Sequence, residues 1–454
     1  MRATRLPLAP REPTMPFANV KTAIPGPKSR ELIERWKRVE ADTTGYQAQV
    51  VWERGRGAVV TDVDGNSFLD WTSGVLVTNV GHAHPHLVRA ICESSEKLLN
   101  NYECPTEYRV LAAEKLAAAL PPHLDKCFFL SAGSETTEAA IRLMKRKTGR
   151  FEIIGFQGGF HGRTYAAASV GGLAGPKRGY GPAMPGVIRA PFPYFYRCPF
   201  GSKTEAECAD KHLELLDQSV RANSCGSLAG VLVETYQGAA GFIFPPQGYL
   251  KRVQDWARAK GLLFSVDEVQ SSYGRMGTMW GHTLEGLEPD LMCIGKGIGS
   301  GFPVAAIAGR GEVFACLNKG EMSSTYGGNP VGSAAVIAVL EIMERENLCE
   351  NARKMGELIM SRLRQTQERS RHLGDVRGRG LVMGMELVKD KKTKEPAPEL
   401  IHPLIDGCAA KGLLIGSVGI YGNVIRVAPP LVISEAQAHE SCNIMEKVLL
   451  GLGR

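Results

Sequence analysis

Residues 262–270, LLFSVDEVQ, decide the fold, and residues 291–297, LMCIGKG, repeat their pattern. Each stretch is a short apolar run that leads to a charged residue, Asp267 in the first and Lys296 in the second. Three further apolar runs alternate with helical or glycine-rich stretches, at residues 127–130, 152–156 and 228–233. This alternation of strands and helices predicts an α/β fold, with a mostly parallel sheet covered by helices on both faces.

Polar side chains follow these strands directly. Glu234, Asp267 and Lys296 each lie one or two residues past an apolar run. Because ligands bind beyond the carboxyl ends of the strands in open α/β sheets, we expect the three groups to converge on one edge. The turn Gly133-Ser134 follows another strand and opens a helix, whose N-terminal N–H groups suit a phosphate.

These residue types match the needs of a pyridoxal phosphate site. The pyridine nitrogen of this cofactor needs a carboxylate, because the ion pair keeps it protonated, and Asp267 suits that position. Its aldehyde needs an amine, which Lys296 can supply. The phosphate, the phenolic oxygen and the two ring faces also need partners, and the residues predicted for them are Gly133 and Ser134, Gln270, and Phe160 with Val269.

Two other phosphate-binding patterns are excluded. Gly297 follows Lys296, where a Walker loop needs Ser or Thr, and the run from Gly297 to Gly301 does not satisfy G-x-G-x-x-G. The strand pattern alone does not name the cofactor, and only the joint occurrence of the site residues favours pyridoxal phosphate.

Composition excludes several other classes of function. The formal net charge is +7, but the lysines and arginines form no block or stripe, so we predict no nucleic-acid partner. The 11 cysteines form no C-x-x-C pair and show no zinc spacing with the histidines, which predicts no metal site and favours a reducing, cytoplasmic location. No apolar run reaches the ~20 residues that span a bilayer, so no membrane partner is expected.

The chain ends differ from the alternating segment. Residues 1–28 are predicted to be a disordered extension, because their prolines prevent regular pairing, and their arginines leave an organelle-targeting segment as the alternative. A hairpin is predicted over residues 51–71, with its turn at residues 64–66. Beyond about residue 335, two helices and then a small α+β segment are expected.

With these motifs in place, the sequence resembles the class III, fold type I aminotransferases that use pyridoxal phosphate. This group includes 4-aminobutyrate, acetylornithine and ornithine aminotransferases, alanine–glyoxylate-type enzymes, dialkylglycine decarboxylase and some amino-acid racemases. The stretches that carry the resemblance are LSAGSETTEAAIRLMK from Leu130, FHGRT from Phe160, VETYQGAAG from Val233, VDEVQSSYGRMG from Val266, IGKGIGSGFP from Ile294, STYGGNP from Ser324 and NVIRVAPPL from Asn423.

The resemblance implies a particular domain plan. A large cofactor domain would take residues 79–335, and a smaller α+β domain would combine residues 29–78 with residues 336–454. The resemblance also implies a homodimer, or a tetramer built from it, with two active sites at the subunit interface.

The resemblance implies roles for the charged residues of the site. Lys296 resembles the lysine that binds the cofactor covalently, and Asp267 its pyridinium partner. His161 would support the site without doing the chemistry, and Glu234 resembles a structural carboxylate near Gln270.

Other matching positions imply how substrate and partner subunit are bound. Thr325 resembles a threonine that reaches the cofactor phosphate of the neighbouring subunit. Arg426 resembles the clamp for an α-carboxylate and Arg163 the binder of a distal carboxylate, and the planar fork of arginine matches a carboxylate bidentately. The substrates expected are an amino-acid donor and a 2-oxo acid acceptor, which react by a ping-pong mechanism.

One departure from the family pattern bears on the substrate. In 4-aminobutyrate and acetylornithine aminotransferases a Glu follows Gln-Gly and pairs with the clamp arginine, whereas Ala239 stands here. We therefore hypothesise that the chain favours substrates that always present a carboxylate to Arg426.

Three alternatives to transamination stay open at this point. The decarboxylases of the family carry Gln after Thr-Ser-Gly, where this chain has Val75, so that function loses a polarising group. A racemase would use the same cofactor and lysine. A non-catalytic cofactor-binding protein is the least favoured alternative, because such a protein would typically have lost Lys296 or Asp267, and both are present.

Overall fold

The computed structural model describes residues 16–452, which contain three β-sheets. The strands, numbered in chain order, are β1 Trp52–Arg56, β2 Val59–Asp62, β3 Ser67–Asp70, β4 Lys126–Leu130, β5 Glu152–Phe156, β6 Val187–Ala190, β7 Leu228–Glu234, β8 Leu263–Asp267, β9 Leu291–Ile294, β10 Ala305–Gly309, β11 Leu373–Arg379, β12 Val382–Leu387, β13 Leu413–Leu414, β14 Gly416–Val418 and β15 Val424–Val427.

Thirteen α-helices lie before, between and after these strands in the described residues. They are α1 Pro27–Lys37, α2 Ser73–Leu76, α3 Pro85–Ser95, α4 Glu107–Ala119, α5 Gly133–Thr148, α6 Tyr165–Val170, α7 Glu205–Asn223, α8 Tyr249–Ala259, α9 Gly311–Phe314, α10 Pro330–Arg345, α11 Leu348–Arg369, α12 Ile401–Ala409 and α13 Glu435–Leu449. Within residues 16–452, none of the helices combines the length and the apolar character that crossing a membrane requires.

The largest sheet has the strand order β4-β10-β9-β8-β7-β5-β6. β10 runs antiparallel to both of its neighbours, and all the other neighbouring pairs are parallel. The prediction of a mostly parallel α/β sheet is therefore confirmed. Because β7, β8 and β9 are adjacent and parallel, their carboxyl ends meet at one edge, as the sequence predicted.

Side chains of the central strands alternate between two cores, because successive residues of a strand point to opposite faces. Val231 and Val233 of β7 pack in the larger core, to which α8 also contributes. Leu232 packs in the smaller core with side chains of α5. Helices on both faces thus cover the strands and leave only their ends open for a ligand.

The two chain ends build the smaller α+β part together. β13, from the C-terminal part, pairs in parallel with β3, and Leu413 lies opposite Leu69. The third sheet, β11-β12-β15-β14, is antiparallel throughout. This arrangement confirms a smaller α+β part drawn from both ends, whereas the domain boundaries after residues 28, 78 and 335 stay predictions.

The prediction of a disordered extension over residues 1–28 was wrong for residues 16–28. The N–H groups of Phe17 and Ala18 donate to the carboxylate of Glu440, at 3.1 and 2.8 Å. Asn19 exchanges two backbone hydrogen bonds with Ser67, both of 2.9 Å. Residues 16–26 form no named helix or strand, but acceptors from distant parts of the chain satisfy part of their backbone, and α1 begins directly afterwards at Pro27. Residues 1–15, where a targeting segment was the alternative, lie outside the described residues.

Candidate active site

A cavity of about 400 Å³ opens at the carboxyl ends of β7, β8 and β9. Every residue that the sequence predicted for the site lines this cavity, with the exception of Thr325. The predicted residues that the structure brings together are Gly133, Ser134, Phe160, His161, Arg163, Glu234, Asp267, Val269, Gln270, Lys296 and Arg426.

The floor of the cavity is formed by His161, Glu234 and Asp267, and each of the three side chains makes hydrogen bonds to protein groups. Glu234 and Asp267 end adjacent strands and lie opposite each other in the pairing of β7 with β8. Asp267 Oδ2 lies 2.8 Å from His161 Nδ1, and its Oδ1 accepts the N–H of Val269 at 3.0 Å. These contacts fix the orientation of the Asp267 carboxylate.

Burial and neighbouring charges shift the proton affinities of the floor. Burial raises the pKa of Glu234 to about 7, and the charge of Asp267 adds to this rise. The N–H groups of Phe160 and Gly238 each donate to Glu234, at 2.9 and 3.0 Å, which limits the rise. Burial opposes the charge of His161, but the hydrogen bond to Asp267 and its charge raise the pKa of that histidine. The raised pKa of His161 favours its protonated form beside Asp267.

Lys296 lies in an unusual backbone conformation at the edge of the same floor. It follows β9 at the start of a 3₁₀ turn, and its φ of 45° is in the left-handed region, which side chains other than glycine rarely adopt. Burial lowers the pKa of Lys296, and the positive charge of Arg426 lowers it further. The negative charges of Asp267 and Glu234 oppose this shift but do not cancel it. A lowered pKa increases the neutral fraction of the amine, which is the form that acts as a nucleophile or base.

The N-terminus of α5 forms one side of the cavity and fits a phosphate group. The helix begins at Gly133, and no side chain caps its first turn. A Cβ atom on Gly133 would lie only 2.8 Å from Val269, and one on Gly162 would clash with the hydroxyl group of Ser134. Because both glycines keep this space clear, the backbone and the Ser134 hydroxyl can approach an anion closely.

The ring-binding positions also fit the expected cofactor. Phe160 and Val269 both line the cavity, so an aromatic and an aliphatic side chain can cover a flat ring. Gln270 Oε1 is buried, and it has no hydrogen-bond partner among the described residues. Rotation of the amide would present its NH₂ group at the same place, which suits a phenolic oxygen. With the α5 N-terminus and the carboxylate of Asp267, these residues match pyridoxal phosphate in shape and in polarity.

Arg426 projects from β15 into the opposite wall of the cavity. It is 5% exposed, and its Nε has no hydrogen-bond partner among the described residues. Gly416 lies opposite it in β14, and a Cβ atom there would come within 2.5 Å of the guanidinium group. Burial lowers the pKa of Arg426, although the charge of Asp70 opposes this shift. The glycine therefore makes room for an arginine whose donors are left for a ligand.

Arg163 and Thr325 occupy different positions from the residues above. Arg163 is exposed at the cavity mouth, where its guanidinium lies 6.0 Å from the centre of the Phe160 ring. Its N–H donates to the Ser134 hydroxyl at 3.3 Å. Thr325 is exposed outside this cavity, and its role toward a partner subunit stays a prediction.

Apolar residues of the cavity wall were not predicted as site residues. Val75 and Leu76 line the cavity, and both have positive φ angles in a turn that hydrophobic patterns do not reveal. Tyr236, Phe242 and Val418 line it as well. Tyr236 and Phe242 lie close to Glu234 in the sequence, and this was the one signal that could have placed them in the site. Nothing in the local sequence indicates that Val418 lines the cavity.

Known proteins are similar to this chain over almost its whole length. The family model described as aminotransferase class-III matches residues 41–449. An alanine/serine racemase of Pyrococcus horikoshii is 36% identical over 96% of this chain and 93% of its own length. A 4-aminobutyrate aminotransferase of Mycobacterium leprae is 35% identical over 94% of this chain and 97% of its own. The crystal structure of an amine transaminase from an uncultivated Pseudomonas species, in its PLP-bound form, is 27% identical with a TM-score of 0.86, over 91% of this chain and 99% of that one.

Proposed function

The chain belongs to the class-III aminotransferase family of pyridoxal-phosphate enzymes, and from that premise we propose that it transfers the amino group of an amino acid to a 2-oxo acid. The observation that carries the proposal is the convergence of Lys296, Asp267 and Arg426 on one cavity. An amine, a fixed carboxylate and a carboxylate-binding arginine are the three groups that this reaction needs from the protein.

When bound, the cofactor supplies an aldehyde that accepts and returns the amino group and a ring that withdraws electrons from the reacting carbon. Asp267 would pair with the ring nitrogen of the cofactor, and His161 and the Val269 N–H orient its carboxylate for that contact. The N-terminus of α5 would bind the phosphate group. Lys296 would hold the aldehyde of the cofactor between reactions, and its Nζ would become available to act on the substrate once the donor amine has taken its place.

Lys296 then moves a proton at the substrate. Because its pKa is lowered, Nζ accepts a proton from the α-carbon of the donor as a base and delivers it as an acid to complete the transfer. The same residue works in both directions, so the second half of the ping-pong cycle needs no other proton carrier.

Arg426 orients the donor by its α-carboxylate. Two N–H groups of the guanidinium bind the two carboxylate oxygens in parallel, which fixes the α-carbon relative to Lys296. Ala239 lines the same cavity and offers no acid to pair with this arginine. A donor without an adjacent carboxylate would leave the buried guanidinium unpaired, which costs roughly 3–5 kcal/mol. We therefore assign α-amino acids, rather than ω-amino acids, as the preferred donors.

The remaining predicted residues complete the proposal. Arg163, at the cavity mouth, would bind the second carboxylate of a 2-oxo acid that carries one. Thr325, which is exposed, would reach the phosphate site of a partner subunit in a homodimer.

Racemisation of an α-amino acid is the second candidate function. It is favoured by the similarity to the alanine/serine racemase, which spans 96% of this chain at 36% identity. It would use the same cavity and the same clamp on the carboxylate, but it would return the proton to the other face of the α-carbon and release no oxo acid.

A half-reaction screen of the holoenzyme separates these functions. L-Alanine, L-ornithine, 2-aminoisobutyrate, β-alanine and 4-aminobutyrate are added separately, and oxo-acid release, carbon dioxide and chirality are measured together with the cofactor spectrum. We expect oxo acid from an α-amino acid at a rate at least about 100-fold above that with 4-aminobutyrate, because of the unpaired arginine. Fast turnover of 4-aminobutyrate contradicts the assignment of α-amino acids. Loss of chirality without oxo acid favours the racemase, and carbon dioxide from 2-aminoisobutyrate favours a decarboxylase.

A further inference from the structure

Residues 237–242, here called the wall loop, form the side of the cavity between its floor and Arg426. Ala239 and Phe242 of this loop line the cavity. The loop follows β7, which ends at Glu234. Its two ends are joined, because the N–H of Gln237 donates to Ile243 O and the N–H of Ile243 donates to Gln237 O. Its position therefore decides how much room a substrate side chain has beside the clamp arginine.

The C-terminal part of the chain holds the wall loop from outside the cavity. Arg377 Nε donates to the carbonyl oxygens of Gly241 and Phe242, both at 3.0 Å, and Nη2 donates to that of Gly241 at 2.6 Å. The N–H groups of Gly419 and Ile420 donate to Ala239 O and Ala240 O, at 3.0 and 3.1 Å. The four carbonyl groups of residues 239–242 thus depend on one side chain and on one turn that follows a strand of another sheet.

Arg377 is itself held in place by one half-buried and one buried carboxylate. Its Nη1 donates to Asp375 Oδ2 at 2.6 Å and to Glu386 Oε2 at 2.8 Å. Glu386 is fully buried and also accepts hydrogen bonds from Tyr194 and Arg197. Because each nitrogen of the Arg377 guanidinium donates a hydrogen bond, the group is held in one orientation. It in turn holds the wall loop in place.

The contact with the wall loop lies beside the substrate clamp. Gly384 of β12 pairs with Arg426 of β15. A Cβ atom on Gly384 would lie 3.0 Å from Gly241 O and 3.3 Å from Phe242 Cβ, so the loop packs directly on the strand next to the clamp. A shift of the loop would change the space at the clamp without touching the floor.

We infer that Arg377 is a positioning residue that sets the side-chain selectivity of the cavity by holding the wall loop against the strand beside Arg426. This inference rests on the proposed function, since it concerns the donors of that same site. Arg377 does not line the cavity, so it acts through Ala239 and Phe242 and contacts no substrate itself.

The test compares Arg377→Lys with Arg379→Lys in the full-length holoenzyme. Lysine at 377 keeps a positive charge near Asp375 and Glu386 but lacks the fork that reaches Gly241 and Phe242. Arg379 lies two residues further along the same strand and binds Gln247 and Glu285 instead, so its replacement is the matched control. Amide hydrogen exchange and half-reaction kinetics with L-alanine and L-leucine are measured for both variants.

We expect the Gly419 and Ile420 amides to exchange about tenfold faster in Arg377→Lys, because their acceptors lie in the released loop. The ratio of kcat/KM for L-alanine to that for L-leucine should fall roughly threefold or more through KM, with kcat for L-alanine little changed. Arg379→Lys should alter neither quantity. Unchanged exchange, or faster exchange with unchanged selectivity, overturns the inference. If the wild type releases no oxo acid from any donor, the proposed function fails, and the exchange measurement alone decides whether Arg377 positions the loop.

Discussion

The floor of the cavity and the wall that carries Arg426 differ in how their polar groups are paired. On the floor, His161 and Asp267 bind each other, and Glu234 accepts two backbone N–H groups. On the wall, Arg426 is almost as deeply buried, yet its Nε has no partner among the described residues. Burial of an unpaired polar group costs free energy, so the wall is the less stable of the two regions.

This difference separates two kinds of ligand. The floor is organised in advance for a group that stays bound through the whole reaction cycle, so its carboxylate needs no reorganisation. The wall keeps its donors for a group that arrives and leaves with each half-reaction, and the carboxylate of each substrate satisfies them in turn.

Removal of the Lys296 amine should have the largest effect. Lys296→Ala leaves the floor and the clamp in place but removes the proton carrier, so the half-reaction rate should fall about 10⁴-fold or more. Stopped-flow absorbance of the cofactor and assay of oxo acid measure this loss. Lys260→Ala, which removes an exposed lysine that pairs with Asp217, is the control and should keep full activity. A residual rate within tenfold of the wild type would show that another residue moves the proton.

Weakening the wall should be less severe and should depend on the substrate. Arg426→Lys keeps the positive charge but loses the bidentate fork, so KM for an α-amino acid should rise roughly 30–100-fold. Steady-state kinetics with L-alanine measure the change. Isopropylamine, which has no carboxylate, is the control, and its kinetics should change less than about threefold. An equal loss with both amines would mean that Arg426 holds the fold rather than the substrate.

Adding an acid beside Arg426 should make the wall resemble the floor, because the polar groups of both regions would then have partners within the protein. In Ala239→Glu the new carboxylate can bind Arg426, so 4-aminobutyrate should gain about tenfold in rate relative to L-alanine. Competition between the two donors measures this ratio directly.

Ala239→Gln is the matched control for that change, since it has nearly the same shape without the charge. It should leave the ratio of the two donors near that of the wild type. If both substitutions change the ratio equally, the size of residue 239 and not its charge determines the choice of donor.

The two regions also differ in how far the sequence predicts them. Asp267 and Lys296 were predictable because each follows an apolar run, and parallel strands bring their ends to one edge. β10 was not predicted, since its small residues between glycines give little periodic signal. The wall depends on contacts across the chain, such as that of Arg377 with Gly241, which are 136 residues apart. The left-handed turn at Leu76 has no local pattern either, so the cavity wall required the fold itself.

The smallest expected effect concerns the pH dependence of the floor in the cofactor-free protein. The pKa of Glu234 is raised from 4.5 to about 7, so between these values the folded state keeps a proton that the unfolded state has lost. The unfolded chain then binds fewer protons than the folded one, and stability contributed by this group falls as the pH rises through that window. The glutamine of Glu234→Gln does not titrate. We therefore expect the melting temperature of this variant, relative to that of the wild type, to increase as the pH rises from 4.5 to about 7. Thermal unfolding of both proteins across this range tests the sign. A constant difference between the two melting temperatures would show that Glu234 is already charged at the lower pH. The folded protein would then keep no extra proton on this residue.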